Sequence, residues 1–398
     1  MAQMTHHVLR APWTPWPHYE PDEIAAVERV LTSGKVNQWT GQEVFSFERE
    51  YAAFLGRDHA VAVMNGSVAL ELALVALDVG PGDEVVTSPR TFIASASAAV
   101  MRGATPVFAD VDPDSGNITA ETIDRVLTPR TKAIIVVHLA GWPADMDPIL
   151  ELAAANDLTV IEDCAQAHGA AYHGRPVGSI GHAAAFSFCQ DKIMTTGGEG
   201  GLLALDDERS WRVAWSFKDH GKSYDAVFNR QHPNGYRWLH ESFGTNWRMT
   251  EVQAAIGRIQ LARLEESVAD RRRNAAILRS HLEPLPGLRV PRPPTGSEHA
   301  YYKLYAYVRP ETLRAGWTRD RVQTTIYEAG VPVLVGSCSE VYRELAFATT
   351  GRAPTATLDV AHELGETSLM FQVHPTLPEE TLHTAGEIVA EVMAEATR

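Results

Sequence analysis

Two carboxylates, Glu162 and Asp163, close a short apolar run (Leu158, Val160, Ile161) that reads as a buried strand. After a polar, glycine-bearing passage a second apolar run, residues 183–188, leads to Lys192. Gly197, Gly198, Gly200 and Gly201 then crowd the chain. An acid at a strand end, a lysine past the next strand and a loop with little bulk suggest a cofactor pocket. Pyridoxal phosphate (PLP) chemistry needs this combination. The lysine forms a Schiff base with the aldehyde, and an acid keeps the pyridine nitrogen protonated so that the ring accepts electrons. Neighbouring strand residues face opposite ways, so only one of Glu162 and Asp163 can serve.

The elements that must position these residues follow from the apolar spacing. Residues 61–64 read as a strand, Asn65-Gly66-Ser67 as a tight turn and 68–77 as a helix. A helix begun this way leaves free N–H groups and a positive dipole end at Gly66 and Ser67, which suits a phosphate. Strands at 84–88, 105–110, 132–139 and 159–162 then alternate with helices at 92–101, 121–127 and 148–155. That rhythm means βαβ units and a mostly parallel sheet covered on both faces, with ligands at the strands' carboxyl ends. Gly66, Phe92, His138, Asp163 and Ser187 all fall at or just past those ends.

Helices at 21–31 and 44–55, each closed by a glycine, precede this core, and one long helix is expected over 248–269. The run Arg271-Arg272-Arg273 reads as a solvated helix face. A Pro/Gly-rich loop at 284–296 leads to a strand at 303–308 and helices at 320–328 and 379–396. The expected organisation is a surface arm at 1–20, a large cofactor-binding domain at 21–265 and a smaller α+β domain at 266–398. The helices within 21–55 are expected to pack toward the small domain.

Composition narrows the functional classes. The chain has 398 residues, 45% hydrophobic and 21% charged, which is ordinary for globular domains. Its net charge of −15 argues against a nucleic-acid or anionic-membrane surface. Cys164, Cys189 and Cys338 are scattered, without metal-site or disulfide spacing. His138, His168, His182 and His220 show no metal-cluster spacing either, so no metal is expected. No secretory signal pattern and no apolar run long enough to span a bilayer is seen, so a soluble cytoplasmic enzyme is expected.

MNGSVALELAL, GATPVFADVD, HLAGWPADMD, VIEDCAQAHGA, FSFCQDK with GGEGG, and NWRMTEVQAAIG occur in this order. Together they resemble the DegT/DnrJ/StrS-type sugar aminotransferases, a branch of the fold-type-I PLP enzymes. The resemblance runs from about Tyr19 to Leu264 and weakens afterwards. It implies that Lys192 carries the cofactor and moves the proton, and it selects Asp163 for the pyridine nitrogen. It implies that Phe92 stacks on the ring and that Gln166 lies near the ring hydroxyl. Gly66, Ser67 and Ser187 would hold the phosphate, and Asn246 would reach the phosphate of the neighbouring subunit in a homodimer.

A related subgroup that removes a sugar hydroxyl has histidine where Lys192 stands, so transamination is expected here. The expected reaction is ping-pong, from an amino acid (L-glutamate) to a nucleotide-linked keto-sugar through pyridoxamine phosphate. Segments 330–344 and 368–377, Trp142 and the tryptophan-rich insertion 229–247 depart from the family pattern around the acceptor. The insertion is expected to roof the pocket, and Lys218, His220, Lys222, Tyr224, Arg230 and Arg237 are candidates to meet a diphosphate. A ketocyclitol aminotransferase using glutamine, and a non-catalytic PLP-fold regulator, are the alternatives. A nicotinamide oxidoreductase is disfavoured because no G-x-G-x-x-G follows the first strand.

Overall fold

The computed structural model describes residues 8, 9 and 13–397. Helices α1 (Pro21–Ser33) and α2 (Glu43–Leu55) end at Gly34 and Gly56, both left-handed, as the glycine signals predicted. Seven strands form the main sheet: β1 (His59–Val63), β2 (Glu84–Thr87), β3 (Thr105–Phe108), β4 (Thr131–Val137), β5 (Thr159–Asp163), β6 (Ala183–Ser187) and β7 (Gly201–Leu205). Their order is β1-β7-β6-β5-β4-β2-β3. All run parallel except β7, which is antiparallel to both neighbours. Strands β4 to β7 are largely buried on both faces because helices cover both. Among those helices are α3 (Gly66–Ala76), α4 (Ala94–Met101), α5 (Ala120–Asp124) and α6 (Met146–Ala155).

After β7 come α7 (Glu208–Phe217), α8 (Tyr224–Phe228) and α9 (Glu251–Ala262). The single helix expected over 248–269 is two helices. Thr250 starts α9 with a capping box to Gln253, and the backbone leaves helical geometry at Arg263 before α10 (Leu264–Leu282). The break redirects the chain from one core to another. Leu264 and Val268 are buried with the main sheet's residues, whereas Ala275, Leu278 and Leu282 are buried in the core of a second sheet. That sheet pairs β8 (Leu288–Arg289), β9 (Leu304–Val308), β11 (Ser368–Phe371) and β10 (Val333–Leu334), in that order. Helices α11 (Arg319–Glu328) and α14 (Glu379–Ala396) pack on it, and between them lie α12 (Leu345–Ala348) and α13 (Asp359–Thr367).

Three expectations about organisation are corrected. Helices α1 and α2 pack on α9 and the β1 side of the main sheet, through Ala26, Val30, Val44, Phe47 and Tyr51, rather than toward the second sheet. Not all of 266–398 keeps to the second sheet: Val341, Tyr342 and Phe347 pack on Ala96 and Phe108, and Ala361 and Leu364 on the β3–β4 side. The arm is more than a surface strap over its described part. Trp16 donates to the Lys192 carbonyl (3.0 Å), and Trp13 donates to Gln372 Oε1 (3.2 Å). The remainder of the arm's expected path, residues 1–7 and 10–12, lies outside the described residues.

Candidate active site

The carboxyl ends of the parallel strands form one rim. Register places Val137 beside Asp163 and Asp163 beside Ala185, and Gly201 lies opposite both Val63 and Ser187. Because β7 runs the other way, its first residue sits among the last residues of its neighbours. Backbones crowd there. A Cβ on Gly66 would lie 2.5 Å from Ser187 Cβ, and one on Gly201 would overlap the Asn65 backbone. Asn65 caps α3 through the Val68 N–H (3.0 Å), so the cap leaves the amides of Gly66 and Ser67 unused. Gly66 packs directly against Ser187.

The two strand-end acids have separate surroundings. Glu162 is fully buried and accepts from the amides of Gly178 (2.8 Å), Ile180 (2.8 Å) and Gly181 (2.7 Å). His138 Nδ1 accepts from the Ala144 N–H (3.0 Å), so its Nε2 carries the proton and donates to Glu162 (3.1 Å). Burial alone would raise the Glu162 carboxyl. His138 and the amides outweigh it and hold the group below its ordinary value. Ligand atoms of His138, Glu162 and Cys164 lie within 4.8 Å of one another. With the carboxylate saturated by hydrogen bonds and burial holding the Cys164 thiol protonated, this trio is a strut for the sheet.

Asp163, on the opposite face, accepts from Ser95 Oγ (2.7 Å) and the Ala165 N–H (3.1 Å). Thr91 Oγ1 lies 2.8 Å from Ser95 Oγ, making a relay of hydroxyls that ends on the carboxylate. Burial raises the Asp163 carboxyl above its ordinary value, against Ser95, the Ala165 amide and the charge of Lys192. It is a buried acid short of a cation, which a protonated pyridine nitrogen would supply. Lys192 is mostly buried. Its Nζ lies 3.7 Å from Asp191 Oδ1 and 4.9 Å from the centroid of the Tyr302 ring, and Tyr302 donates to Asp191.

Phe92 precedes α4 and is 66% exposed, so core packing is not its role; its ring is free to cover a planar ligand. Gln166 is buried and its Oε1 caps the Ala140 N–H (2.7 Å), which fixes the side chain beside the β4 end. Asn246 is exposed, pairs by backbone with Asp219, and makes no side-chain hydrogen bond among the described residues. His168 sits beneath the rim. Tyr51 Oη lies 2.8 Å from its Nδ1, and its Nε2 donates to the Ser187 carbonyl (2.9 Å). Burial pushes it down to about 4, so it is a neutral spacer.

Several acceptor-side expectations do not hold. Lys218 is buried and its Nζ pairs with Glu48 (2.9 Å), out of reach of any diphosphate. Lys222 and Arg230 pair with Asp219 and Glu241, and Tyr224 packs against Trp211, Trp215 and Phe228. The 229–247 insertion projects outward, with Tyr236, Trp238 and Phe243 all over 70% exposed. A cleft of about 720 Å³ between α7, α8 and residues 241–243 contains none of the rim residues. Arg271 is 1% exposed and lies over the Trp16 ring, so the expected solvated face begins only at Arg272. Sequence reasoning passed over Ser95, Thr91, Asp191, Tyr302 and Trp16. Asp191 carried the one available signal, its position beside the lysine.

The parallel sheet and its rim define an enzyme of the α/β class with a buried acid and a lysine at the strand ends. The model of the DegT/DnrJ/EryC1/StrS aminotransferase family matches residues 17–390; the chain belongs to that family and is an aminotransferase. The structure of an aminotransferase from Psychrobacter cryohalolentis superposes with a TM-score of 0.95 at 55% identity, covering 97% of this chain and 100% of that one. The fold is thereby fold type I. Spore coat polysaccharide biosynthesis protein SpsC of Bacillus subtilis is 40% identical over 338 residues, 84% of each chain. GDP-perosamine synthase of Caulobacter vibrioides is 41% identical over 293 residues, 73% of this chain and 75% of that protein. Among the described residues no helix is long and apolar enough to cross a membrane.

Proposed function

We propose that this chain uses PLP to move an amino group from L-glutamate to the ketone of a nucleotide-linked sugar, working as a homodimer. The observation that carries the cofactor assignment is the Asp163 carboxylate, buried at the rim without a full countercharge and electrostatically coupled to Lys192. When bound, PLP supplies an electron-accepting ring conjugated to the substrate nitrogen. Asp163, steadied by Ser95 and the Ala165 amide, holds the proton on the ring nitrogen. Lys192 anchors the cofactor and then moves the proton at the donor α-carbon; a positioned base contributes roughly 10²–10⁴-fold. Gly66, Ser67 and Ser187 hold the phosphate, Phe92 covers one ring face and Gln166 faces the ring hydroxyl. The sugar assignment is supported by the perosamine-synthase relative, whose named product is nucleotide-linked. The exposed aromatics of 229–247, together with the unpartnered Asn246, support a second copy of the chain completing each site.

The test is spectroscopic and then chemical. The purified protein should carry an absorbance band that borohydride bleaches, absent from Lys192→Ala; a colourless protein that gains no band with added PLP overturns the cofactor. Nucleotide keto-sugars and ketocyclitols are then supplied with glutamate or glutamine. Turnover confined to ketocyclitols with glutamine overturns the acceptor and donor named here.

A further inference from the structure

Two more cations, Lys303 and Arg271, stand near Lys192, and neither forms an ion pair among the described residues. Lys303, just ahead of β9, has its ammonium 4.7 Å from the centroid of the Tyr302 ring, the ring that Lys192 also approaches at 4.9 Å. Asp191 is the cluster's one carboxylate. One of its oxygens accepts from Tyr302 and the other faces Lys192. No acid of the described residues lies within ion-pair distance of Lys303. Arg271 adjoins the cluster, its guanidinium 4.8 Å from the Trp16 ring centroid. Nε and Nη2, the two nitrogens of one edge of its fork, are buried without an acceptor. Burial pushes Lys303 down to about 8, and Arg271 and Lys192 add repulsion that Asp191 opposes. Once Lys192 carries the cofactor, Lys303 and Arg271 leave this corner with a net positive charge in a low-dielectric setting, where a lone charge is costly.

The geometry of transamination says which anion comes here. Lys192 must reach the donor's α-carbon, and the α-carboxylate hangs one bond from that atom. The diphosphate of a nucleotide sugar is separated from its reacting ketone by several bonds of the sugar ring, so it lies farther out. We propose that Lys303 binds the α-carboxylate of the amino donor, with Arg271 adding positive charge from the adjoining layer. This rests on the aminotransfer reading above and assigns that reaction a donor-recognition residue.

The experiment uses the cofactor-loaded enzyme and two variants, Lys303→Met and Lys303→Arg. In Lys303→Met, KM for L-glutamate is expected to rise about 10- to 100-fold, the loss of one charge-assisted contact, with the KM of the acceptor unchanged. The dissociation constant of unreactive glutarate, followed by the cofactor spectrum, should weaken alongside, and Lys303→Arg should restore most of both. The native enzyme should discriminate strongly against the α-amide of glutamate, and Lys303→Met should lose that discrimination. Unchanged glutamate KM and glutarate binding, or a rise in acceptor KM alone, overturns the proposal. If Lys303→Met does not fold, the native enzyme decides: glutarate binding should weaken with added salt, and salt-independent binding overturns it. A native enzyme that carries the cofactor band but takes nitrogen from no amino acid would sink the aminotransfer reading instead, and glutarate binding would still report on Lys303.

Discussion

Glu162 and Asp163 share a strand and a buried setting, yet removing either charge should have opposite consequences. Asp163→Asn is expected to fold as well as the native chain, because burial already disfavours that carboxylate. The same change should lower kcat by about 100-fold or more, since the amide cannot hold a ring proton; steady-state rates and a urea titration read the two effects. Glu162→Gln should do the reverse, losing about 3–5 kcal/mol of stability as His138, Arg57 and three amides lose a buried anion. His168 adds a pH dependence. Folded, it titrates at about 4; unfolded, at its ordinary 6.5. Between these values the unfolded chain takes up a proton that the folded one refuses, so stability falls as pH drops from 6.5 to 4, by roughly 3 kcal/mol. A urea midpoint that stays level over this range in native protein, or that falls equally in His168→Gln, would contradict the assignment. The strand pattern placed a lysine and two candidate acids, Glu162 and Asp163, on one rim, and only the family resemblance chose Asp163 between them. Ser95, Tyr302 and Lys303 were not legible in the sequence, since the fold alone brings these ordinary polar residues beside them.

Among the elements, the junction of α3, β6 and β7 is the least forgiving. A methyl group at Gly201 meets backbone that cannot rotate away, so Gly201→Ala should cost about 1–3 kcal/mol. Gly66→Ala meets the Ser187 side chain and should weaken PLP retention more than stability; equilibrium dialysis of the cofactor separates the two. The βαβ alternation was readable because buried parallel strands are continuous apolar runs. The break at Arg263 was not. No glycine or proline marks it, and helical spacing continues on both sides. At the break Arg263 pairs with Asp22 and Glu23 of α1, and the chain passes from one core to the other.

At the scale of the molecule, α10 belongs to both cores, and residues between 341 and 364 pack back onto the main sheet, so the Pro/Gly-rich loop at 284–296 does not separate two independent units. The Arg271 error has a related origin. Three successive arginines lie about 100° apart around a helix, and one of them turns toward the arm. The dimer proposal is tested by mixing two inactive variants, Lys192→Ala and Asn246→Ala. Hybrid dimers should contain one intact site, so the mixture should regain activity that neither parent has. Mixtures as inactive as the parents, despite verified subunit exchange, would show that each chain works alone.

Strand β7 returns beside β6 immediately after the Lys192 loop, so Lys192 is carried on the connection of a hairpin, the most local pairing in the main sheet. During vectorial synthesis this hairpin can close as soon as residue 205 is free of the ribosome, well before the second sheet is made. The arm, although synthesised first, cannot complete its grip until Gln372 and His374 arrive. Lys192 is therefore seated early, and the arm that latches over it is fastened last.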